Sequence, residues 1–426
     1  MGVGAAGRAG GGGGGGGGPP PPPPHDVVEK AARLVEGMAP REIARDEAYW
    51  AMIRRAFTVD ANQINLNSGS VSPAPRSVQD AVALGLAITN ASPSLWVDEM
   101  LGPQRELVRR RLAAAAGCDP EEIAVTRNTS EAMQIVQMGL DLEPGDEVVL
   151  TTQDYPRMIT TWEQRERRDG LVLKRIPYPS PPDDPQELVR LYERAIGPRT
   201  KVLHMSHVTY TAGQIFPVKE ICALARSRGL YSYVDGAHAF AHFPYRLDEL
   251  GCDFYGTSLH KWLTAPVGTG FLYVRRERIP QVWPLQAAPA SMDGNIRKFE
   301  QIGTFPVPIP NAIGEALTFL DGIGIEVKAE RLRYLRRRWM DAVADVPKVR
   351  FYTANDDRQA GALATMSIDG MGANEFTDVL QRRYAIHVRP RFVPGEWEGI
   401  RVTPNVFSTL EEVDTFSAAV REIAAG

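Results

Sequence analysis

An α/β protein with one large and one small domain is what this sequence predicts, and three observations carry the prediction. Short apolar, β-branched and aromatic runs alternate with stretches of helical spacing, as where residues 123–125 lead into the periodic positions Ala132, Ile135, Val136 and Gly139. Two of those runs, 231–234 and 252–256, are followed by chemically capable residues: Asp235 after the first, and Ser258, His260 and Lys261 after the second. In a parallel α/β sheet the carboxyl ends of strands line the ligand crevice. Finally, 426 residues hold a large and a small domain with ample core for both. On Asp235 and Lys261 alone, the simpler reading is a strand-end acid capping a turn and a solvated lysine.

The composition narrows the function classes. A formal net charge of −4 leaves no basic footprint for nucleic acid. Cys118, Cys222 and Cys252 have neither metal-ligand nor disulfide-framework spacing, which suits a reducing cytoplasm and suggests no metal. No apolar run approaches the roughly 18 residues that a membrane span needs. Residues 1–25 are glycine-rich and then proline-rich, so flexible coil followed by a short polyproline stretch is expected, without the apolar segment of a secretory signal. Residues 26–63 form an arm: Val27, Val28, Ala31, Leu34 and Val35, then Trp50, Ile53 and Phe57, suggest two short amphipathic helices of the kind that pack on a partner subunit.

The large domain is expected over 64–323. INLNSGSVSPAPRSV, 64–78, passes from a strand through a Ser/Gly/Pro turn into a helix. Asn67, Ser68, Gly69 and Ser70 are candidates for ligand contacts there, or an ordinary glycine turn. After strand 123–125, Asn128 and Glu131 stand at capping-box spacing. The free N–H groups of that first turn, with the hydroxyls of Thr129 and Ser130, suit a phosphate, an ordinary N-cap being the plainer alternative. Strand 147–151 leads to QDYP, where Tyr155 either offers an aromatic plane to a flat ring or belongs to the core. Strands 171–176 and 201–205 bracket a helix at 188–196. In SHVTYTAGQIFPV, which follows, Gly213 permits a turn beside His207, Thr209 and Tyr210. A charged helix at 327–343 bridges to a small domain over 324–426, where 362–368, 374–384, 386–388, 400–403 and 410–423 read as strand, helix, strand, strand, helix.

VDGAH, then His242, CDFY, and S-x-HKW followed by GTGFLYV resemble the cofactor-lysine region of the class V aminotransferase family. This is the fold-type I group of pyridoxal phosphate (PLP) enzymes that includes isopenicillin N epimerase and the cysteine desulfurases. The resemblance extends over nearly all of 64–423. It implies a seven-stranded-type large sheet, PLP as cofactor and Lys261 as the Schiff-base lysine, with Asp235 keeping the pyridine nitrogen protonated. His238 would donate to the phenolate oxygen, Asn128 would contact the cofactor, and Thr129, Ser130, Ser258 and His260 would hold the phosphate. Tyr155 stands where desulfurases carry the histidine that stacks on the pyridine. Thr304, after Gly303 in the family's GT segment, would reach the neighbouring subunit's phosphate, which implies a homodimer with shared sites. Arg401 would clamp the substrate α-carboxylate, with Arg389 as a second candidate and Ser68 and Gly69 beside the substrate.

One departure matters. The segment 385–399 has no cysteine where desulfurases carry their nucleophile, which disfavours persulfide chemistry. The expected activity is therefore that of a PLP-dependent enzyme acting at the Cα of an amino acid or an amino-acid-containing metabolite. Lys261, Asp235 and Tyr155 are its catalytic candidates. Epimerisation and transamination lead; a carbon–sulfur lyase or an oxygen-using oxidase would share the same residues. Retained Lys261 and Asp235 speak against a non-catalytic interaction protein. Epimerisation needs a second proton donor, for which Tyr155, His238 and water are the options.

Overall fold

A computed structural model describes residues 24–426, with side chains from Val27, so the coil expected at the amino terminus lies outside the described residues except for Pro24 and His25, which open a helix. Along the chain the strands are β1 Ile64–Asn65, β2 Ile123–Thr126, β3 Glu147–Thr151, β4 Val172–Ile176, β5 Thr200–Ser206, β6 Tyr231–Asp235, β7 Phe254–Ser258, β8 Gly270–Val274, β9 Val349–Phe351, β10 Ala364–Ile368, β11 Ile386–His387, β12 Arg389–Val393 and β13 Trp397–Val402. Seven of them form the large sheet in the order β2-β8-β7-β6-β5-β3-β4. All its pairings are parallel except the two that β8 makes with β2 and β7.

The near-continuous apolar runs are explained by burial of this sheet on both faces. Ile123, Val149, Leu203, Val234 and Tyr255 enter one core, while their neighbours Ala124, Val148, Val202, Tyr233 and Phe254 enter the other. That is the two-residue period of a strand with helices packed on each side. Two glycines are required by close approach. A Cβ at Gly236 would lie 2.0 Å from the Tyr255 ring, and one at Gly213, where φ is +73°, would lie 2.2 Å from the Leu363 carbonyl oxygen.

The small sheet is antiparallel, ordered β12-β13-β10-β9, and packs under the helices Ile325–Val343 and Leu410–Ala425 through Trp339, Met366, Ile400 and Phe416. β1 pairs in parallel with β11, and Leu66 enters this same core, so the first residues after the arm are held by the small sheet.

Three local expectations differ from what is observed. Strand β7 begins at Phe254 rather than 252, because the Asp253 carboxylate accepts from the Ser232 N–H and hydroxyl, each at 2.9 Å, and bends the chain just before the strand. The arm forms three helices, Pro24–Leu34, Pro40–Ile43 and Glu47–Arg54, rather than two. Its apolar face is also covered within the chain rather than by a partner: Val27, Trp50, Ile53 and Phe57 pack on Phe319, Ile323, Val406 and Phe407. Last, Asn128 caps its helix by accepting from the Glu131 N–H at 2.9 Å, but Glu131 returns its bond one residue upstream, to the Arg127 N–H at 2.6 Å.

Among the described residues no helix is long and apolar enough to cross a membrane. The bridging helix carries a buried cation, Lys328, whose ammonium donates to the Trp262 carbonyl next to Lys261. Burial pushes its pKa down to about 7. Between that value and the ordinary lysine range near 10.4 the unfolded chain holds a proton that the folded one has released, so this group makes stability rise with pH there. Lys328→Met is expected to flatten the rise between pH 7.5 and 9.5 by about 1.4 kcal/mol per pH unit. Denaturant unfolding of both proteins at several pH values checks this; equal slopes would refute it.

Candidate active site

The carboxyl ends of the parallel strands open into a cavity of about 520 Å³. Every parallel strand of the large sheet except β4 supplies lining residues: Asn128, Thr129 and Ser130 after β2, Tyr155 after β3, Ser206, Val208 and Tyr210 from β5 onward, Asp235, Ala237 and His238 from β6, and Ser258, His260 and Lys261 from β7. Gly69 and Ser70, Val267 and Gly268, and Arg389, Arg391 and Arg401 of the small sheet complete the wall.

Each group is positioned by identifiable bonds. Asp235 ends β6 opposite Ser206 of β5 and Gly256 of β7, and its carboxylate accepts from the Ala237 N–H at 2.9 Å. At the start of the helix Thr129–Gly139, the Thr129 N–H donates to the Ser258 hydroxyl at 3.0 Å, and the two hydroxyls lie 2.7 Å apart. The turn that presents Tyr155 is tied by Asp154, which accepts from the Thr151 N–H at 2.7 Å and the Ser206 hydroxyl at 2.7 Å. Tyr155 is 37% exposed and meets Tyr210 edge-on with ring centroids 5.2 Å apart, so it is a wall of the cavity rather than core. Arg401, 1% exposed, donates to the Tyr210 carbonyl at 3.0 Å and the Ser70 hydroxyl at 2.9 Å.

The electrostatics follow from burial. The Lys261 amine lies 3.3 Å from His238 Nε2. Burial lowers its pKa, the Asp235 charge opposes that, and Arg401 and Arg391 reinforce it. Asp235 is pushed the other way, up, by burial, against the Ala237 bond and the lysine charge. Burial first, and then Lys261, hold His238 far below the usual imidazole range, so its ring is neutral. With Nε2 accepting from the lysine, the ring proton sits on Nδ1, which is buried without a partner. His260 is lowered to about 4 by burial, and its Nδ1 donates to the Thr269 carbonyl at 3.1 Å. His242 is structural: it stacks on Trp262 at 3.9 Å and bridges the His238 carbonyl and the Ala362 N–H.

Three expected residues, Asn67, Ser68 and Thr304, are not brought to the cavity lining. Ser68 is fully buried outside the lining, its hydroxyl unpartnered, because the turn is fastened by the Gly69 N–H donating to Thr403 Oγ1 at 2.9 Å. Thr304 is exposed on a loop and lies outside the cavity lining. Arg391 was not anticipated. Its signal was present, two residues from Arg389, but Pro390 between them argues against a strand, and proline is tolerated here because β12 is an edge strand.

These residues fit PLP. A neutral imidazole, a buried carboxylate, a buried amine, an aromatic wall and a hydroxyl-flanked helix start all line one cavity. Fold and site together define a PLP-dependent enzyme of fold type I. The chain belongs to the class V aminotransferase family, whose description "Aminotransferase class-V" matches residues 65–396. It is 31% identical over 390 residues to isopenicillin N epimerase of Streptomyces clavuligerus, covering 88% of this chain and 98% of the relative. Its fold is that of the apo cysteine desulfurase from Thermococcus onnurineus NA1, at a TM-score of 0.78 and 22% identity, covering 88% of this chain and 97% of the other. It is likewise that of a C-DES variant with glycine covalently linked to its PLP cofactor, at a TM-score of 0.79 and 21% identity, covering 87% and 99%.

Proposed function

We propose that this chain acts at the Cα of an amino acid or an amino-acid-containing metabolite, as an epimerase or an aminotransferase. The observation that carries the reading is that the buried Lys261 amine and the buried Arg401 guanidinium line the same cavity while no cysteine does. Burial pushes Cys118 and Cys222 up to about 12 and raises Cys252 well above the ordinary thiol range, so all three are thiols in packed surroundings rather than thiolate nucleophiles. That absence of an activated enzyme sulfur speaks against a desulfurase that takes sulfur onto its own thiolate as an enzyme persulfide.

In this reading Arg401 holds the substrate α-carboxylate through its fork and fixes which Cα bond faces Lys261. Lys261, its pKa lowered by burial, takes the Cα proton near neutral pH. PLP, held through Lys261, Asp235, His238 and the Thr129, Ser130, Ser258 and His260 cluster, supplies the electron sink for the pair left at Cα. Tyr155 walls one side of the ring space. His238 accompanies the lysine at 3.3 Å instead of facing it, which leaves Tyr155 as the protein group for a proton delivered from the opposite side. The exposed Thr304 serves the neighbouring copy in a homodimer.

The test is α-proton exchange. PLP-loaded protein is incubated in heavy water with L- and D-amino acids and followed by NMR. Exchange with loss of chirality and no new carbonyl is the epimerase outcome, and a keto acid the aminotransferase outcome. A released β-fragment would move the protein to the lyases. No exchange, together with no borohydride-stable pyridoxyl group on Lys261, would refute the reading.

A further inference from the structure

Arg389, Arg391 and Arg401 stand on one face of the small sheet. Arg389 and Arg401 are directly cross-strand partners, and Arg391 lies two residues along β12, so strand alternation points all three the same way. Like charges placed opposite each other in a sheet are destabilising. Among the described residues, no ion pair relieves any of the three, and Asp235 is the only carboxylate lining the cavity. Two guanidinium Nε–H donors, those of Arg391 and Arg401, are buried without a partner. Arg391 is packed over the Tyr210 ring, 5.4 Å from its centroid, while Arg401 holds the backbone carbonyl of the same tyrosine. Burial pushes the Arg391 pKa down to about 10, and Arg389 adds to this. This is the electrostatic condition of a site that awaits anions.

One α-carboxylate does not account for it. Arg401 alone offers a bidentate fork, and Arg389 and Arg391 remain after it is used. The groups suited to the cofactor's phosphate are elsewhere, on the loops after β2 and β7. We propose that Arg391, supported by Arg389, binds a second anionic group, so that the substrate carries a carboxylate on its side chain or remote portion besides the α-carboxylate. The inference rests on reading Arg401 as the α-carboxylate clamp. It makes Arg391 a specificity determinant: a neutral side chain leaves its guanidinium desolvated and unpaired, and a diacid satisfies it.

Two amine-free probes test this: glutarate, with two carboxylates, and butyrate, with one. Their binding to PLP-loaded protein is measured by calorimetry in phosphate-free buffer, for the wild type, Arg391→Gln and Arg391→Lys. The wild type is expected to bind glutarate about 10- to 100-fold more tightly than butyrate, the range for a charge-assisted hydrogen-bonded pair. Arg391→Gln is expected to abolish that preference, and Arg391→Lys to restore part of it. Equal binding of both probes by the wild type, or a preference that survives in a folded Arg391→Gln protein, overturns the inference. Neither probe has a Cα amine, so the result stands apart from the exchange experiment: failure of exchange removes the proposed chemistry, whereas failure here removes only the diacid requirement.

Discussion

Lys261→Ala is expected to lower α-proton exchange by about 10⁴-fold or more, because one side chain performs two tasks. In the proposed mechanism its amine is both the attachment point for the cofactor and the base at Cα. Burial, reinforced by Arg401 and Arg391, keeps that amine from being locked as an ammonium ion at neutral pH. Alanine removes the base and leaves His238 Nε2, 3.3 Å from the former amine position, with a lone pair and no donor. His238 does not substitute, since burial already holds its ring far from protonation. The variant is checked by NMR exchange in heavy water and by mass spectrometry after borohydride treatment, where the pyridoxyl-modified lysine of the wild type should be missing. Added small primary amines should restore a fraction of the rate. Residual exchange within tenfold of the wild type would assign the base elsewhere.

Asp235→Asn is expected to cost about 10²- to 10³-fold in the same assay, the range for removing one preorganised electrostatic group. The substitution is close to isosteric, and an asparagine carbonyl can still accept from the Ala237 N–H that holds the side chain at 2.9 Å. What disappears is the negative charge at the end of β6. That charge opposes the burial-driven fall in the Lys261 pKa, so its removal lowers the lysine further. Because the base must be unprotonated, the acidic limb of the rate profile should shift to lower pH in the variant. A loss under threefold, or a limb that moves upward, would show that Asp235 is a structural acid only.

Much of the site was legible because its residues sit at the ends of strongly apolar strands and within motifs whose order along the chain is distinctive. Asp235 after VDGAH, Lys261 after S-x-H, and Thr129 with Ser130 at a helix start needed only local pattern. Tyr155 was legible as an aromatic at a strand end, but its choice between core and cavity depended on the turn that Asp154 fastens to Thr151 and Ser206. Arg391 was hidden by Pro390, since nothing local distinguishes an edge strand from no strand. Ser68 illustrates the converse: its type and position suited a ligand contact, but anchorage of Gly69 to Thr403, more than 300 residues away, turned it inward. The arm was legible as amphipathic helices, and only packing showed that its apolar face is spent on Phe319, Ile323, Val406 and Phe407 of the same chain.

By itself the sequence determined the α/β class and, through the resemblance of its motifs, the family, and it singled out Lys261, Asp235 and Arg401 as candidates, because hydrophobic period and motif order are properties of neighbours in the chain. Tertiary structure alone decided that three arginines share one face, that the lysine amine lies against a neutral histidine, and that the cysteines are sealed away from the cavity. Those outcomes depend on burial and on charges brought together from different strands and from both sheets, such as Arg401 and Arg391 with Lys261. Desolvation and Coulomb interactions act through space, so they exist only once the sheets have assembled.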